Sequence, residues 1–209
     1  MRSSNLDQAD LDALSRHAPP RGSILVAGCG AGAEVAHLAR LGWQVSGFDL
    51  LPQMIEAGRA VLAEAGVRAE LFTGDARTLD LRGRRYDAIY LTPLLYSFVA
   101  GRQVRIEMLR RMKWHLAPGG GLLFGVQYRR FAGERMQTSL AWIRQRILGT
   151  RMFERGDWYT WYLTSSGGIG YSYLHRFTPR EVVAEARAAG FGAICRRGAR
   201  FLAADPEAR

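Results

Sequence analysis

One stretch near the start of the chain constrains the possible folds more than any other. An apolar run, Ile24–Ala27, enters a cluster of three glycines, Gly28, Gly30 and Gly32, and a helical pattern follows. This succession is typical of a buried parallel strand, a tight turn and a helix N-terminus. Because glycine has no Cβ, the backbone can turn sharply and approach a ligand closely. The free N–H groups of the helix start favour an anionic group. The stretch therefore predicts a site for a nucleotide-like cofactor.

Two acidic residues follow the next two predicted strands. Trp43–Phe48 ends at Asp49, about 20 residues past the glycine turn, where a carboxylate can accept hydrogen bonds from both ribose hydroxyls. Arg68–Thr73 leads to Asp75, and a second carboxylate at the same sheet edge suits an adenine amino group. The alternatives are an exposed surface aspartate for Asp49, and an Asx turn or helix cap for Asp75. The pattern favours an adenosine held by both acids.

The rest of the chain continues the alternation of strands and helices. Tyr86–Leu91 and Leu122–Val126 are further apolar strands, and Ala193–Arg197 and Ala199–Ala203 end the pattern as antiparallel neighbours. Strands that alternate with helices predict an open α/β sheet with right-handed crossovers.

Two helices flank this pattern. Leu6–His17 is amphipathic and either covers one edge of the sheet or folds over the cofactor. Thr178 precedes a second helix that ends at Gly190, and Glu181 stands three residues after Thr178. This spacing predicts a capping box, in which each side chain accepts a hydrogen bond from the backbone N–H of the other residue.

Composition sets broad limits. The 209 residues suit one domain, and the formal charge of +10 allows nucleic acid or another acidic partner. However, the arginines are scattered, which favours a solvated basic surface. Cys29 and Cys195 form neither a disulfide framework nor a metal site, and we expect no metal. Without a membrane-length apolar run or a signal-peptide pattern, we expect a cytoplasmic protein that does not bind membranes.

The segment Gln127–His175 interrupts the alternation and is rich in aromatic residues and arginine. Met136–Leu148 reads as a helix, and Trp158–Thr164 with Ile169–His175 reads as a hairpin. We expect one domain, 1–209, in which this segment is a lid that encloses a small molecule and excludes water. It could instead stack RNA bases and contact phosphates, or form the contact of a homodimer.

The residues from Gly28 to Ala33 fit the loose pattern G-x-G-x-x-G/A, which taken alone is compatible with NAD. Three further motifs favour another family: Gly74–Ala76, Leu116–Gly120 and Arg176–Pro179. Together with Asp49 they resemble the class I S-adenosylmethionine-dependent methyltransferases. The likeness covers about residues 21–126 and resumes at Phe177. It implies a doubly wound α/β fold of seven strands in the order 3-2-1-4-5-7-6, with the last strand antiparallel, and methyl transfer from S-adenosyl-L-methionine.

The resemblance also assigns roles to residues. The glycine loop would hold the methionine part of the cofactor, Asp49 the ribose, and Asp75 the adenine amino group, while Leu50 would pack on the adenine. The full set that the resemblance places at the cofactor is Gly28, Cys29, Gly30, Gly32, Asp49, Leu50, Asp75, Ala76, Leu91 and Thr92. Many family members carry an acid two positions before the first glycine, where this chain has Val26.

The methyl acceptor is less defined. The loop Leu91–Tyr96 lacks the Asn/Asp-Pro-Pro-Tyr/Phe signature of relatives that methylate amino groups of bases and glutamine. Tyr96, Tyr128 and His175 are the candidates for catalytic contacts or a base, although each could instead pack with its polar tip satisfied. We expect methylation of an O, N or S atom of a small molecule. The alternatives are an RNA methyltransferase and an NAD(P)-dependent oxidoreductase.

Overall fold

A computed structural model of the chain describes residues 6–19, 21–128, 154–163 and 169–204, with the backbone alone for 159–163 and 169–171. The helices of this part are α1 (Gln8–Ser15), α2 (Ala33–Arg40), α3 (Pro52–Glu64), α4 (Leu95–Phe98), α5 (Arg102–Trp114) and α6 (Pro179–Ala188). The strands are β1 (Ser23–Ala27), β2 (Gln44–Asp49), β3 (Glu70–Thr73), β4 (Tyr86–Leu91), β5 (Leu116–Gly125), β6 (Asp157–Leu163), β7 (Ile169–His175), β8 (Ala193–Arg197) and β9 (Arg200–Ala204).

Seven of these strands form one sheet in the order β3-β2-β1-β4-β5-β9-β8. The strands β1 to β5 run parallel, whereas β9 is antiparallel to both β5 and β8. When only the strands of this sheet are counted, the order is 3-2-1-4-5-7-6, so the predicted fold is confirmed. The first five strands end at one edge of the sheet, which is where open α/β sheets bind ligands.

Helices cover both faces of the sheet, and the side chains of β1 alternate between them. Ile24 and Val26 pack with α1, α2 and α3, whereas Leu25 and Ala27 pack with α4, α5 and α6. All four are fully buried. A parallel strand that is covered on both faces must be apolar at every position, which explains the continuous apolar run in the sequence.

The first helix covers part of the sheet and does not fold over the glycine turn. Leu14 of α1 is fully buried, and the helix contacts β5. Asp7 and Asp10 bind Arg197 at 2.6 and 2.9 Å, and Asp10 also lies 3.4 Å from Arg200. These ion pairs hold α1 over the β5, β9 and β8 half of the sheet, away from β2.

Strand β5 differs from the prediction because it begins earlier, at Leu116. Its register with β4 shifts between the pairs Tyr86–Leu116 and Ala88–Gly121. The predicted turn is therefore a bulge inside β5, in which Gly119 has a φ of 82°. A bulge of this kind lets a strand absorb extra residues without losing its pairing.

The hairpin within the interrupting segment is confirmed by the backbone. β6 and β7 pair antiparallel, with Trp158 opposite Leu174, and form a separate two-stranded sheet. β7 contacts α4, which follows the carboxyl end of β4, so the hairpin stands at the ligand-binding edge of the large sheet. The predicted helix Met136–Leu148 lies outside the described residues.

The predicted capping box at α6 is also confirmed. The Thr178 hydroxyl accepts a hydrogen bond from the N–H of Glu181 at 3.3 Å, and the Glu181 carboxylate accepts one from the N–H of Thr178 at 2.6 Å. Among the described residues, we find no helix with the length and apolar character needed to cross a bilayer.

Candidate functional site

The glycine turn lies at the carboxyl end of β1. Gly28, Gly30 and Gly32 have φ values of 68°, 52° and 80°, a region that other residues rarely adopt. A Cβ at Gly28 would lie 2.9 Å from Oγ1 of Thr92, whereas a Cβ at Gly30 would meet nothing within 4 Å. The turn thus needs glycine for its conformation, and Gly30 borders open space in which a ligand can approach the backbone.

A cavity of about 1060 Å³ lies against this turn. Its wall includes Gly28, Gly30, Glu34, Thr92 and Pro93, and it extends along α2 and α3. This volume is at the upper end of the range for small-molecule and cofactor sites.

The carboxylate of Asp49 is held beside the turn by the backbone. Its Oδ2 accepts a hydrogen bond from the N–H of Gly30 at 2.9 Å, and its Oδ1 accepts one from the N–H of Leu51 at 3.1 Å. Each carboxylate oxygen can accept more than one hydrogen bond, so the group remains able to bind two hydroxyls. Leu50 and Leu51 are 58% and 50% exposed. They form an apolar surface next to the carboxylate on which an adenine could pack.

Asp75 lies at the same edge, because β3 pairs with β2 and Thr73 stands opposite Asp49. Its carboxylate already binds Arg77, with Nη2 at 2.6 Å and Nε at 3.0 Å. The hydrogen bonds from Arg77 hold the pKa of Asp75 below its usual value. An adenine amino group at Asp75 would have to share or displace this guanidinium. The following Ala76 is buried.

The loop after β4 is tied to the glycine turn. The Thr92 hydroxyl donates to the carbonyl oxygens of Gly28 at 2.7 Å and Ala27 at 3.2 Å, and Leu91 is fully buried. Leu94 has a φ of 72°, a strained conformation for a residue with a side chain. Cys29 is also buried, and its N–H bonds to the carbonyl of Phe48 at 2.9 Å.

Comparisons with known proteins agree with this geometry. A family model described as a methyltransferase domain matches residues 24–120. A dTDP-3-amino-3,6-dideoxy-alpha-D-glucopyranose N,N-dimethyltransferase from Streptomyces fradiae is 33% identical over 115 residues, 54% of this chain and 43% of that protein. Ribosomal RNA small subunit methyltransferase C from Alcanivorax borkumensis is 33% identical over 105 residues, 48% of this chain and 31% of that protein. The chain thus spans less than half the length of these curated relatives.

A solved structure extends the likeness to almost the whole chain. The crystal structure of a SAM-dependent methyltransferase from Methanosarcina mazei aligns with a TM-score of 0.76 at 17% identity, and covers 97% of this chain and 99% of that one. At this identity the likeness concerns the fold, while the family match concerns the sequence of the glycine turn, both acids and the start of β5.

The chain belongs to the class I S-adenosylmethionine-dependent methyltransferases. This decides between the two cofactors that the glycine pattern allows, in favour of S-adenosylmethionine over NAD. The methyltransferase has the features that this cofactor needs. Gly30 provides an open approach to the backbone, Asp49 provides a preoriented carboxylate, and the cavity beside them is large enough.

Two of the three catalytic candidates meet around Phe177, outside the cofactor cavity. Tyr96 stacks on this ring with a centroid distance of 5.1 Å, and His175 contacts it edge-on at 4.4 Å. The hydroxyl of Tyr96 donates to Glu185 in the interior, and Nδ1 of His175 lies 2.6 Å from Oδ1 of Asp157. Burial, followed by the charge of Glu185, raises the pKa of Tyr96 well above its usual value, so a phenolate base is disfavoured there.

Arg105 joins these residues into one network. Its guanidinium binds Glu185 at 2.8 Å and Glu154 at 2.7 Å, and it lies 5.1 Å from the centroid of Phe177. The network therefore connects α5 and α6 with the base of the hairpin. Tyr96 and His175 are better explained as members of this network than as residues that contact a substrate.

Ligand atoms of Glu154, Asp157 and His175 lie within 4.8 Å of one another, close enough for a metal ion. However, Glu154 accepts from Arg105, and Asp157 accepts from the hydroxyl of Tyr173 at 2.7 Å. Protein donors therefore already bind these carboxylates, and the positive charge of Arg105 opposes a cation.

Tyr128 lies elsewhere. Its hydroxyl donates to the carbonyl of Gly198 at 2.8 Å, and its ring meets Phe201 edge-on at 6.3 Å. Burial raises its pKa, more than the charge of Arg196 lowers it. The three candidates thus do not converge on one point, and their catalytic role stays a prediction without geometric support.

Sequence reasoning missed Glu34, which is only 6% exposed and lies in the wall of the cofactor cavity. It occupies the first turn of α2, one turn before the buried Leu38. An acid that shares a helix face with core residues is unusual, and this position on the face was the available signal.

Proposed function

We propose that the protein catalyses transfer of the methyl group of S-adenosylmethionine to a nucleophilic atom of a small molecule. The observation that carries this proposal is the position of Asp49, whose carboxylate is oriented by the N–H of Gly30 at 2.9 Å beside the cavity. This is the arrangement that a bound adenosine requires. When bound, the cofactor supplies a methyl group on a positively charged sulfur.

The chain's own part in such a reaction is positioning. Methyl transfer needs the acceptor atom in line with the methyl–sulfur bond, and alignment of two reactants can account for much of a rate acceleration. Thr92 holds the loop after β4 against the glycine turn through its bond to Gly28. This loop is therefore a rigid wall against which an acceptor can be aligned.

The hairpin favours an enclosed acceptor. β7 contacts α4 at the carboxyl edge of the sheet, and Glu154 beside the hairpin binds Arg105 of α5. We infer that the segment Gln127–His175 forms a lid over the acceptor and excludes water. The arginine and aromatic residues at 129–153 belong to the same lid in this proposal, although they lie outside the described residues.

We further propose an amine as the acceptor. The relative from Streptomyces fradiae is named for N,N-dimethylation of an amino sugar nucleotide. A neutral amine is itself a nucleophile, so it needs little help from a general base. This agrees with a site in which Tyr96 and His175 are bound within a packed network. A sugar amine is the first acceptor class to test.

Methylation of RNA is the second candidate. The relative from Alcanivorax borkumensis acts, by its name, on ribosomal RNA, and the formal charge of +10 would support phosphate binding. Binding of a mixed RNA preparation should then weaken steeply as salt rises, whereas methylation of a small amine should depend little on salt.

Two experiments test these proposals in order. Isothermal titration with S-adenosylhomocysteine and with NAD should detect binding of the first alone, and absence of its binding would refute the methyltransferase proposal. Release of S-adenosylhomocysteine is then measured with amino sugars, dTDP-amino sugars, phenols, thiols and RNA as acceptors. Turnover with the amines is expected. Turnover with RNA alone would replace the small-molecule proposal.

A further inference from the structure

Glu34 places a buried carboxylate in the wall of the cofactor cavity. It is the second residue of α2, directly after the N-cap Gly32, and its side chain is 6% exposed. The cavity wall that contains it also contains Gly28 and Gly30. A carboxylate near a helix N-terminus is stabilised by the helix dipole, so this group can remain ionised despite its burial.

The surroundings of Glu34 locate its charge near the carboxyl ends of β1 and β4. Its negative charge is one of the causes that raise the pKa of the Cys29 thiol to about 12, after burial and the charge of Asp49. The same charge contributes to raising the pKa of Tyr90, after burial. Tyr90 pairs with Val26 across β1 and β4, and both side chains are fully buried on the face that α2 covers. The carboxylate thus stands close to the end of β1, where Val26 offers only an apolar side chain.

A buried carboxylate is costly unless a cation or several hydrogen-bond donors compensate it. Within the described residues, the other acids near this wall have printed partners: Asp49 accepts from backbone N–H groups, and Asp10 binds Arg197. Glu34 lines the cavity itself. A ligand that brings a positive group to the glycine turn would therefore gain a charge-assisted hydrogen bond there.

We propose that the carboxylate of Glu34 binds the ammonium group of the cofactor's amino-acid part. This inference rests on the proposed function, since it requires S-adenosylmethionine in this cavity. In this arrangement the adenosine lies at Asp49, and the amino-acid part enters the turn with its ammonium group towards α2. The glycine loop contributes backbone, and the first turn of α2 contributes the charge that Val26 does not provide.

The test compares two ligands that differ in the amino-acid part. S-adenosylhomocysteine carries the ammonium group, whereas 5′-methylthioadenosine has the same adenosine and a thioether but no amino acid. Isothermal titration is carried out with the wild-type protein, Glu34→Gln and Glu64→Gln. Glu64 lines the same cavity from α3 but is exposed, so it is the matched control.

Glu34→Gln should weaken S-adenosylhomocysteine about tenfold or more, which corresponds to about 1.4 kcal/mol, and leave 5′-methylthioadenosine within about twofold. Glu64→Gln should change neither affinity. An equal loss for both ligands in Glu34→Gln, or no loss, would overturn the inference. If the wild-type protein bound neither ligand, the proposed function itself would fail, and this outcome is distinct from a failure of Glu34 alone.

A second comparison needs no substitution and so does not depend on how Glu34→Gln folds. S-adenosyl-3-thiopropylamine keeps the ammonium group but lacks the carboxylate of the amino acid. With the wild-type protein it should bind more tightly than 5′-methylthioadenosine. Equal affinities of these two ligands would contradict a carboxylate that binds the ammonium group.

Discussion

In the core of the protein, Arg105 of α5 binds the carboxylate of Glu185 of α6 with both ends of the guanidinium fork. The distances are 3.0 Å from Nε to Oε2 and 2.8 Å from Nη2 to Oε1, and both side chains are 1% exposed. Burial opposes the charge on Arg105, but the hydrogen bonds from the two acids outweigh it and raise its pKa. The pair is stable because its remaining donors and acceptors are also satisfied, by Glu154 and Tyr96.

Removing one partner of this pair should therefore destabilise the fold. Glu185→Gln keeps the volume but leaves a buried guanidinium with fewer counter-charges, and we expect a loss of about 3 kcal/mol in the free energy of unfolding. Urea denaturation followed by circular dichroism measures it. Glu107→Gln is the control, because the Glu107–Arg110 pair is exposed and should contribute less than about 1 kcal/mol. Equal losses in the two variants would contradict the assigned importance of the buried pair.

The sequence predicts the sheet and the cofactor end of the site because both depend on local spacing. The apolar run of β1, the glycines after it and Asp49 all lie within one strand–helix–strand unit, where spacing along the chain determines position in space. Asp75 is also correctly placed at this edge, although its bond to Arg77 two residues later was not anticipated.

The network around Arg105 depends instead on contacts between distant parts of the chain. Arg105 and Glu185 are 80 residues apart, and only the packing of α5 on α6 brings them together. Their positions carried a signal nonetheless. Arg105 shares a helix face with the buried Met108 and Met112, and such a face rarely holds a charge without a partner. The chemistry of Tyr96 suggested catalysis, but its burial was decided by this tertiary packing.

Alanine substitutions should distinguish Gly28 from Gly30. Both have positive φ values, so each substitution introduces backbone strain of roughly 1–2 kcal/mol. At Gly28 the new Cβ would also lie 2.9 Å from Oγ1 of Thr92 and 3.1 Å from Leu95, whereas at Gly30 it would meet nothing within 4 Å. We expect the free energy of unfolding to fall more in Gly28→Ala than in Gly30→Ala. The reverse order in urea denaturation would contradict the geometry of the turn.

The two cysteines should differ in reactivity. Burial, together with the charges of Asp49 and Glu34, raises the pKa of Cys29 to about 12, and Cys195 is exposed. At pH 8 the Cys29 thiol is thus protonated and inaccessible, and the thiolate is the reactive form. A thiol reagent such as 5,5′-dithiobis(2-nitrobenzoic acid) should modify one thiol per native chain and two after denaturation. Cys195→Ser should remove the fast reaction, and rapid modification that persists in this variant would refute the prediction.

Asp157 should contribute to the acid sensitivity of the fold. Burial acts to raise its pKa, but hydrogen bonds from His175, Tyr173 and the N–H of Glu154 outweigh burial and lower it. A carboxyl group whose pKa is lower in the folded state stabilises the protein above its unfolded pKa, and this stabilisation is lost as the pH falls through the folded pKa. The free energy of unfolding should therefore fall below about pH 4.

Asp157→Asn should remove this part of the pH dependence, because the amide does not titrate. Urea denaturation from pH 6 to pH 3 should give a flatter acid side in the variant than in the wild-type protein. Tyr173→Phe removes only one of the hydrogen bonds to Asp157 and should give an intermediate profile. Parallel profiles for all three proteins would exclude Asp157 as a source of the acid sensitivity.

Asp49 should be required for cofactor binding and dispensable for folding. Asp49→Ala removes the acceptor that the backbone N–H groups of Gly30 and Leu51 orient at the cavity. Hydrogen bonds to a charged group contribute roughly 1.5–3 kcal/mol, so we expect S-adenosylhomocysteine to bind at least about tenfold more weakly in isothermal titration. Asp80→Ala is the matched control, since Asp80 is exposed and accepts from the N–H of Arg82 at 2.8 Å, also two residues later. If both variants bound like the wild-type protein, the ribose role of Asp49 would be refuted. If Asp49→Ala alone lost its cooperative unfolding, its carboxylate would be needed for the turn itself.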